Sequence, residues 1–325
     1  MALVSRRLLP PLVAGVALTL AAHPLSRAAD TGPAHRAAAG RAWTGTWGAA
    51  PSHAVPPLAD TSIRNVVHTS VGGYAARITV TNRFGTRPLR LGAVTLALQA
   101  PGPQRPEAAA GTMRRVTFRG AGAVTVPVGR DLVSDPVDLR VPADAHLLVS
   151  LYTPGTQGAA TQHRSARQTS FLAPGGDHTT AATGTAYTAT TGSWHYLSGV
   201  DVLSPLARGS VVALGDSITD GSGSTAGANR RWPDRLAARL GHRHLGVLNA
   251  GIAGNRLLDD SAYGPRSCPG GLRGSARGVR CMGSPQARWG RGDASQGGGG
   301  PPGEARGRSS SYWVYSGDSD NAGGP

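Results

Sequence analysis

Apolar and polar residues alternate in short runs over the first two thirds of the chain. The alternation is clearest at residues 77–81, 94–98 and 147–151, where every second position is Ile, Val or Leu. It predicts β-strands with one buried face, and the glycine, proline and asparagine between the runs predict turns. Several short strands at this spacing predict a β-sandwich of jelly-roll-like type with about 160 residues.

The pattern then changes to one that predicts a strand, a helix and a second strand. An apolar run at residues 211–213 predicts a buried strand. Trp232, Leu236 and Leu240 recur at helical spacing and predict a helix that ends at Gly241, after which a second short apolar run follows. A right-handed crossover makes the two strands parallel and brings the turns that follow them to the same edge of the sheet.

Ser217 stands in the glycine-flanked turn after the first of these strands. A serine hydroxyl becomes a nucleophile only when a base removes its proton and backbone N–H groups are placed to hold the oxyanion. A strand end followed by a helix start supplies unpaired N–H groups and the positive end of the helix dipole. A bare Gly-Asp-Ser is also common in ordinary turns, so the second turn decides between the two interpretations.

The two turns together carry a family resemblance. Residues 215–221 (Gly-Asp-Ser-Ile-Thr-Asp-Gly) and residues 249–255 (Asn-Ala-Gly-Ile-Ala-Gly-Asn) resemble the first two sequence blocks of the SGNH (GDSL) hydrolases. The resemblance implies a secreted serine esterase or lipase that hydrolyses carboxylic esters through an acyl-serine intermediate, without a cofactor. It also implies a three-layer, flavodoxin-like α/β domain.

The resemblance assigns roles to individual residues. Ser217 would be the nucleophile and, through its N–H, the first oxyanion donor. Gly254 would be the second donor, and Gly215, Asp216 and Asn255 would support the two turns. The substrate would be a small-molecule, lipid or polysaccharide ester, and we expect a monomer.

Two further blocks of the family are absent from this sequence. They are a Gly-x-Asn-Asp, whose Asn is the third oxyanion donor, and an Asp-x-x-His, whose His is the general base. The last histidine here is His244, and residues 266–325 are rich in arginine and glycine, with both cysteines, Cys268 and Cys281, among them. Such a segment buries too little apolar surface to offset its ordering entropy. We therefore expect a frameshifted, otherwise aberrant or disordered tail, and an impaired enzyme.

The N-terminus has the pattern of an export signal. Arg6 and Arg7 precede a mostly apolar stretch at residues 8–22, and small residues at Ala28 and Ala29 follow, which predicts a secretory signal peptide. The arginine pair is also a partial match to a twin-arginine signal. The apolar stretch is short for a membrane span, so we expect a secreted protein without one.

The first part of the chain carries a second resemblance and an alternative function. Residues 43–51 and 82–89 resemble the β-rich module that precedes the catalytic domain in some secreted bacterial SGNH hydrolases. The alternative is a non-enzymatic secreted protein whose module binds carbohydrate or a surface. The aromatic residues that could stack on sugars, which could equally be core, are Trp43, Trp47, Tyr74, Trp194 and Tyr196.

The distribution of charge and the spacing of the histidines argue against a nucleic-acid-binding protein and against a metal site. The formal net charge is +15, but the sequence has no lysine and its arginines are spread along the chain, which indicates a composition bias rather than a nucleic-acid-binding patch. The histidines of the β-rich part lack metal-ligand spacing and are predicted to be surface or loop residues rather than ligands. They are His53, His68, His163, His178 and His195.

These observations predict a β-sandwich domain followed by an incomplete α/β domain. Since the second domain offers only two parallel strands, we expect it to be marginal and the β-sandwich to fold alone. The predicted boundaries are a signal peptide at 1–29, a linker at 30–42, the β-sandwich at 43–205, the partial hydrolase domain at 209–265 and the tail at 266–325.

Overall fold

The computed structural model describes residues 42–102 and 104–255, and the backbone of residues 310–316. These residues are mostly β-strand with few helices. The predicted signal peptide and both cysteines lie outside the described residues.

Antiparallel strands make up the first part of the structure. They are β1 (Ala42–Gly48), β2 (His53–Val55), β3 (Thr61–His68), β4 (Ala75–Thr81), β5 (Leu89–Leu91), β6 (Ala93–Leu98), β7 (Arg114–Arg115), β8 (Val124–Val126), β9 (Asp131–Val133), β10 (His146–Thr153), β11 (Ala160–His163), β12 (Ser170–Pro174), β13 (Ala189–Thr191), β14 (Trp194–His195) and β15 (Leu197–Ser204). A short 3-10 helix spans Gly184–Ala186. The clearest alternating runs of the sequence fall in β4, β6 and β10, as predicted.

Two larger sheets share one apolar core. One has the strand order β1-β15-β4-β9, and the other has the order β13-β12-β3-β10-β6-β7. Ile78 and Val200 from the first sheet belong to the same buried cluster as Ile63 and Val149 from the second. Two smaller sheets, β14-β11-β2 and β5-β8, complete this part.

The strand, helix and second strand predicted near Ser217 are all present. They are β16 (Gly209–Gly215), a one-turn helix α1 (Ser217–Asp220), helix α2 (Trp232–Leu240), a 3-10 helix (Gly241–Arg243) and β17 (Leu245–Gly251). Strands β16 and β17 pair in parallel, with Gly215 opposite Gly251 at their carboxyl ends. The predicted parallel pairing is therefore confirmed, and both turns leave the sheet at the same edge.

A third parallel strand comes from the C-terminal segment. Strand β18 (Ser310–Ser316) pairs with the free side of β16. The prediction that residues 266–325 lack structure, leaving only two parallel strands, is wrong for these seven residues. Their sequence, Ser-Ser-Tyr-Trp-Val-Tyr-Ser, is rich in aromatic and β-branched residues that favour strands. The glycine and arginine around it give the whole segment a composition that predicts disorder. The rest of that segment lies outside the described residues.

The β-rich part and the parallel sheet are packed directly together through β1 and β17. A Cβ atom on Gly246 would lie 1.9 Å from the Gly45 carbonyl oxygen, and one on Gly45 would lie 2.9 Å from Leu248 Cδ1. Ser210 Oγ donates a hydrogen bond of 2.9 Å to the same Gly45 oxygen. This close approach to backbone requires glycine at Gly246, whereas a Cβ on Gly45 would meet only the end of a leucine side chain.

No helix within the described ranges is long and apolar enough to cross a bilayer.

Candidate active site

Ser217 is the first residue of α1, directly after β16. The Asp216 side chain accepts a hydrogen bond of 2.9 Å from the Ile218 N–H and caps the helix. At the other end, the N–H groups of Gly221 and Ser222 donate to the Ser217 carbonyl at 3.0 and 2.8 Å. This half-buried serine is therefore fixed in a turn that is hydrogen-bonded at both ends.

The second predicted turn lies beside the first. The Ile252 N–H donates to the Gly215 carbonyl at 3.0 Å, and Asn255 Nδ2 donates to the same oxygen at 3.3 Å. The Asn255 N–H closes the turn on the Ile252 carbonyl at 2.9 Å. Gly215 and Asn255 thus join the turn of Ser217 to the turn of Gly254.

Two backbone N–H groups at this junction have no acceptor in the part of the chain that the structure describes. Neither the Ser217 N–H nor the Gly254 N–H donates a hydrogen bond to any residue that the structure describes. Gly254 has a φ of +80°, a conformation that glycine adopts without steric cost. Free, fixed N–H groups stabilise an oxyanion when they lie within reach of the carbonyl that a serine hydroxyl attacks.

Asp220, at the end of α1, connects the two turns. Its Oδ2 accepts a hydrogen bond of 2.9 Å from the Ala253 N–H, next to Gly254. Its Oδ1 lies 3.0 Å from His163 Nε2, and both side chains are only 4% exposed. His163 belongs to β11, so this ion pair joins the β-rich part to the turn that carries Ser217.

The surroundings of His163 favour its charged form. Its Nδ1 lies 2.8 Å from the Ala50 carbonyl oxygen, which can only accept, so both ring nitrogens must donate. Burial favours the neutral ring, but the Asp220 carboxylate and the two hydrogen bonds outweigh it and raise the pKa of His163.

The prediction that the histidines of the β-rich part are surface or loop residues is wrong for His163 and His195. Both are buried in strands, and burial without a charge partner lowers the pKa of His195 to about 4. A single histidine in a four-residue strand gives no local sign of burial. The partner of His163 is 57 positions away, so only the tertiary structure could reveal the pair.

No histidine among the described residues acts on Ser217. No described side chain forms a hydrogen bond with Ser217 Oγ, and both nitrogens of His163 are already engaged. His242 and His244 are exposed and lie before β17, whereas Ser217 follows β16. The length of one seven-residue strand, about 20 Å, therefore separates them from Ser217.

Three of the candidate sugar-stacking aromatics belong to the core. Trp47, Trp194 and Tyr196 are 5%, 2% and 1% exposed, so the stacking hypothesis is wrong for them. Trp43 is half-buried under a guanidinium group of the same sheet, 4.5 Å from its ring centre. Tyr74 is 50% exposed.

Comparisons with known proteins agree with the two turns. The sequence model of the GDSL-like lipase/acylhydrolase family matches residues 211–285, and among curated proteins none matches. The match starts in β16 and includes both turns.

Three solved structures are similar at low identity. They are a family two carbohydrate esterase from Cellvibrio japonicus (11% identity, 67% of this chain and 51% of that chain, TM-score 0.19), one from Clostridium thermocellum (10%, 70% and 55%, 0.19), and one from Corynascus thermopiles (Myceliophthora fergusii) with a carbohydrate-binding domain (13%, 69% and 54%, 0.20). The chain spans about half the length of these structures.

The family match extends beyond residue 265, where the sequence alone predicts a break, to residue 285. The turns of Ser217 and Gly254 lie side by side at the edge of a parallel sheet, and the predicted resemblance to the GDSL-like lipase/acylhydrolase family is confirmed for residues 211–285.

Proposed function

We propose that this protein is a serine ester hydrolase in which Ser217 attacks the ester carbonyl. The observation that carries the proposal is a pair of N–H groups, on Ser217 and Gly254 in adjoining turns, that have no acceptor among the described residues. An ester carbonyl oxygen placed between these donors would gain hydrogen bonds as it becomes an oxyanion.

The reaction follows from this geometry in two steps. Ser217 Oγ bonds to the carbonyl carbon and its proton passes to a base. The tetrahedral intermediate then collapses to an acyl-serine as the C–O bond to the leaving oxygen breaks, and that oxygen takes the proton from the base to leave as the alcohol. Water then attacks the acyl-serine and releases the carboxylic acid. The chemistry assigned here is carboxylic ester hydrolysis, with no cofactor.

We propose that the 325 residues hydrolyse esters slowly. The sequence contains no histidine after His244, so the family's late general base has no counterpart in it. Serine hydrolases that lose triad residues keep roughly 10³–10⁴-fold acceleration over water from the oxyanion hole and binding. A missing third oxyanion donor would lower the rate by a further factor on the order of 10²–10³ if the two losses were independent.

The fold supports a two-part arrangement for this enzyme. We propose that the sheets around the shared core form a jelly-roll-like β-sandwich, and that β16, β17 and β18 belong to a three-layer α/β domain. The common buried cluster of the two larger sheets and the parallel order β17-β16-β18 support this arrangement.

We also propose that the protein is secreted, with residues 1–29 removed as a signal peptide. The arginine pair, the apolar stretch and the small residues at 28 and 29 support this. Intact mass of the protein recovered from culture medium should correspond to a chain that begins near residue 29 or 30; an uncleaved, cell-retained chain would contradict it.

A fluorophosphonate probe tests the proposed nucleophile, because it labels a serine that has an oxyanion hole. We expect slow labelling at Ser217, mapped by peptide mass spectrometry, and none in Ser217→Ala. Ser222→Ala is the matched control, since Ser222 is an exposed serine in the same turn. Absence of labelling at Ser217 in the unmodified chain would instead favour the non-enzymatic binding protein.

A further inference from the structure

We propose that His163 is a positioning residue for this active site, acting through Asp220 to hold the nucleophile turn and the oxyanion turn together. The inference rests on the proposed function. It makes the β-rich part a component of the active site rather than a separable module.

Asp220 is placed to connect the two turns. It lies three residues after Ser217 in α1, and its Oδ2 accepts the N–H of Ala253, the residue before Gly254. A second hydrogen bond joins the same two segments, because Asn249 Nδ2 in β17 donates to the Thr219 carbonyl in α1 at 2.8 Å. Any shift of the Asp220 carboxylate therefore changes the distance between the nucleophile and the second oxyanion donor.

The buried Asp220 carboxylate needs a cation as its partner. A buried carboxylate is costly unless a cation and hydrogen-bond donors accompany it. Arg231 is also buried nearby, but its Nε is bound to Asp234 at 2.8 Å and its NH1 donates to the Ala166 carbonyl at 3.1 Å. His163 is therefore the cation in direct contact with Asp220.

The His163 ring is itself held in place by contacts on its other side. Its Nδ1 is bound to the Ala50 carbonyl, and its ring packs 5.4 Å from that of Trp194. Trp194 in turn contacts the Trp47 ring at 4.9 Å and donates from Nε1 to the Val66 carbonyl at 2.7 Å. The imidazolium is thus anchored in the core of the β-rich part.

The charged groups around His163 come from several elements. Asp220 stabilises its proton, while Arg231, which precedes α2, opposes it. His53 in β2 and Arg164, which follows β11, are the other titratable neighbours on the side of the β-rich part. The imidazolium is the only one of these groups bonded to Asp220 in the described structure.

Hydrogen exchange and probe labelling of His163→Gln test the inference. His195→Gln is the matched control, since His195 is a buried histidine in the neighbouring strand without contact to Asp220. We expect faster amide exchange in α1 and at Ala253, whose N–H is bound to Asp220, only in His163→Gln. Its maximal labelling rate at Ser217 should fall about 10²-fold with unchanged probe affinity, since small displacements of reacting groups have effects of this size.

The outcomes separate the inference from the proposed function. Normal Ser217 labelling in the unmodified chain, with unchanged exchange and labelling in His163→Gln, would overturn the inference alone. Absence of labelling in the unmodified chain would overturn the proposed function and, with it, the positioning role.

If His163→Gln does not fold, the unmodified chain still decides the question. The loss of the His163 proton can be monitored through the chemical shifts of its ring nitrogens. It should coincide with reduced exchange protection of the Ala253 N–H. Protection that does not follow this titration would overturn the inference.

Discussion

Gly254 combines a backbone requirement with a proposed catalytic role in one residue. Its φ of +80° disfavours any residue with a Cβ, and its N–H is the second proposed oxyanion donor. We expect Gly254→Ala to lower the free energy of unfolding by about 1 kcal/mol and to reduce labelling of Ser217. Gly223 is the matched control, because its φ is +78° and a Cβ there would meet no atom within 4 Å.

Urea denaturation and probe labelling separate the two effects of that substitution. Gly223→Ala should lose similar stability and keep the labelling rate of the unmodified chain. Equal labelling in both variants would show that Gly254 has no part in the oxyanion site.

His195 should make the protein sensitive to acid. Its pKa is lowered from 6.5 to about 4 by burial, so the folded state holds it neutral while the unfolded state binds a proton. Its stabilising contribution is complete above pH 6.5 and is lost as the pH falls towards 4, by up to about 3 kcal/mol.

Urea denaturation at pH 7 and pH 4.5 measures this contribution. The free energy of unfolding should decrease less between these pH values in His195→Gln than in the unmodified chain. In His163→Gln the free energy of unfolding should decrease more between these pH values than in the unmodified chain. The raised pKa of His163 stabilises the fold at low pH, and this contribution is lost as the pH rises through that pKa. Parallel pH profiles for the unmodified chain and His195→Gln would contradict the assignment.

Strands β1 and β17 meet through glycines, and this contact should be intolerant of larger residues. A Cβ on Gly246 would lie 1.9 Å from the Gly45 carbonyl oxygen, so β1 must move away if alanine is introduced. We expect Gly246→Ala to lower the free energy of unfolding by about 1–3 kcal/mol, the range for overpacked sites. The measurement is urea denaturation.

Gly241 provides the control for that substitution. It has helical backbone angles at the end of α2, and a Cβ there would meet no atom within 4 Å. Gly241→Ala should be neutral or slightly stabilising. A neutral Gly246→Ala would mean that the two strands are farther apart than described.

The elements around the site could be predicted where local periodicity is strong. The spacing of Trp232, Leu236 and Leu240 predicts α2, and the apolar runs predict β16 and β17 in their parallel order. Strand β18 could not be predicted because its few strand-favouring residues stand in a segment whose composition predicts disorder.

The two turns of the candidate site could be predicted for a different reason. Glycines at fixed spacing around Ser217 and Gly254 are local features, and the structure brings them together as the parallel strands require. The link between His163 and Asp220 depends on how the β-rich part packs against α1. No periodicity or spacing in the sequence encodes that contact.

The whole molecule should unfold as one cooperative unit. The sequence predicts a β-sandwich that folds alone, but the β1–β17 contact and the buried ion pair of His163 and Asp220 join it to the α/β part. Scanning calorimetry should therefore show one transition with equal calorimetric and van't Hoff enthalpies. Two resolved transitions would show that the two parts are energetically independent.

Ester hydrolysis that depends on Ser217 is the central claim, and steady-state hydrolysis of p-nitrophenyl acetate tests it most directly. The unmodified chain and Ser222→Ala should release p-nitrophenol at the same slow rate above background, and Ser217→Ala should be at background. A rate typical of ordinary esterases that Ser217→Ala abolishes would reveal a general base outside this account. A rate unchanged in Ser217→Ala would contradict the assignment of Ser217 as the nucleophile.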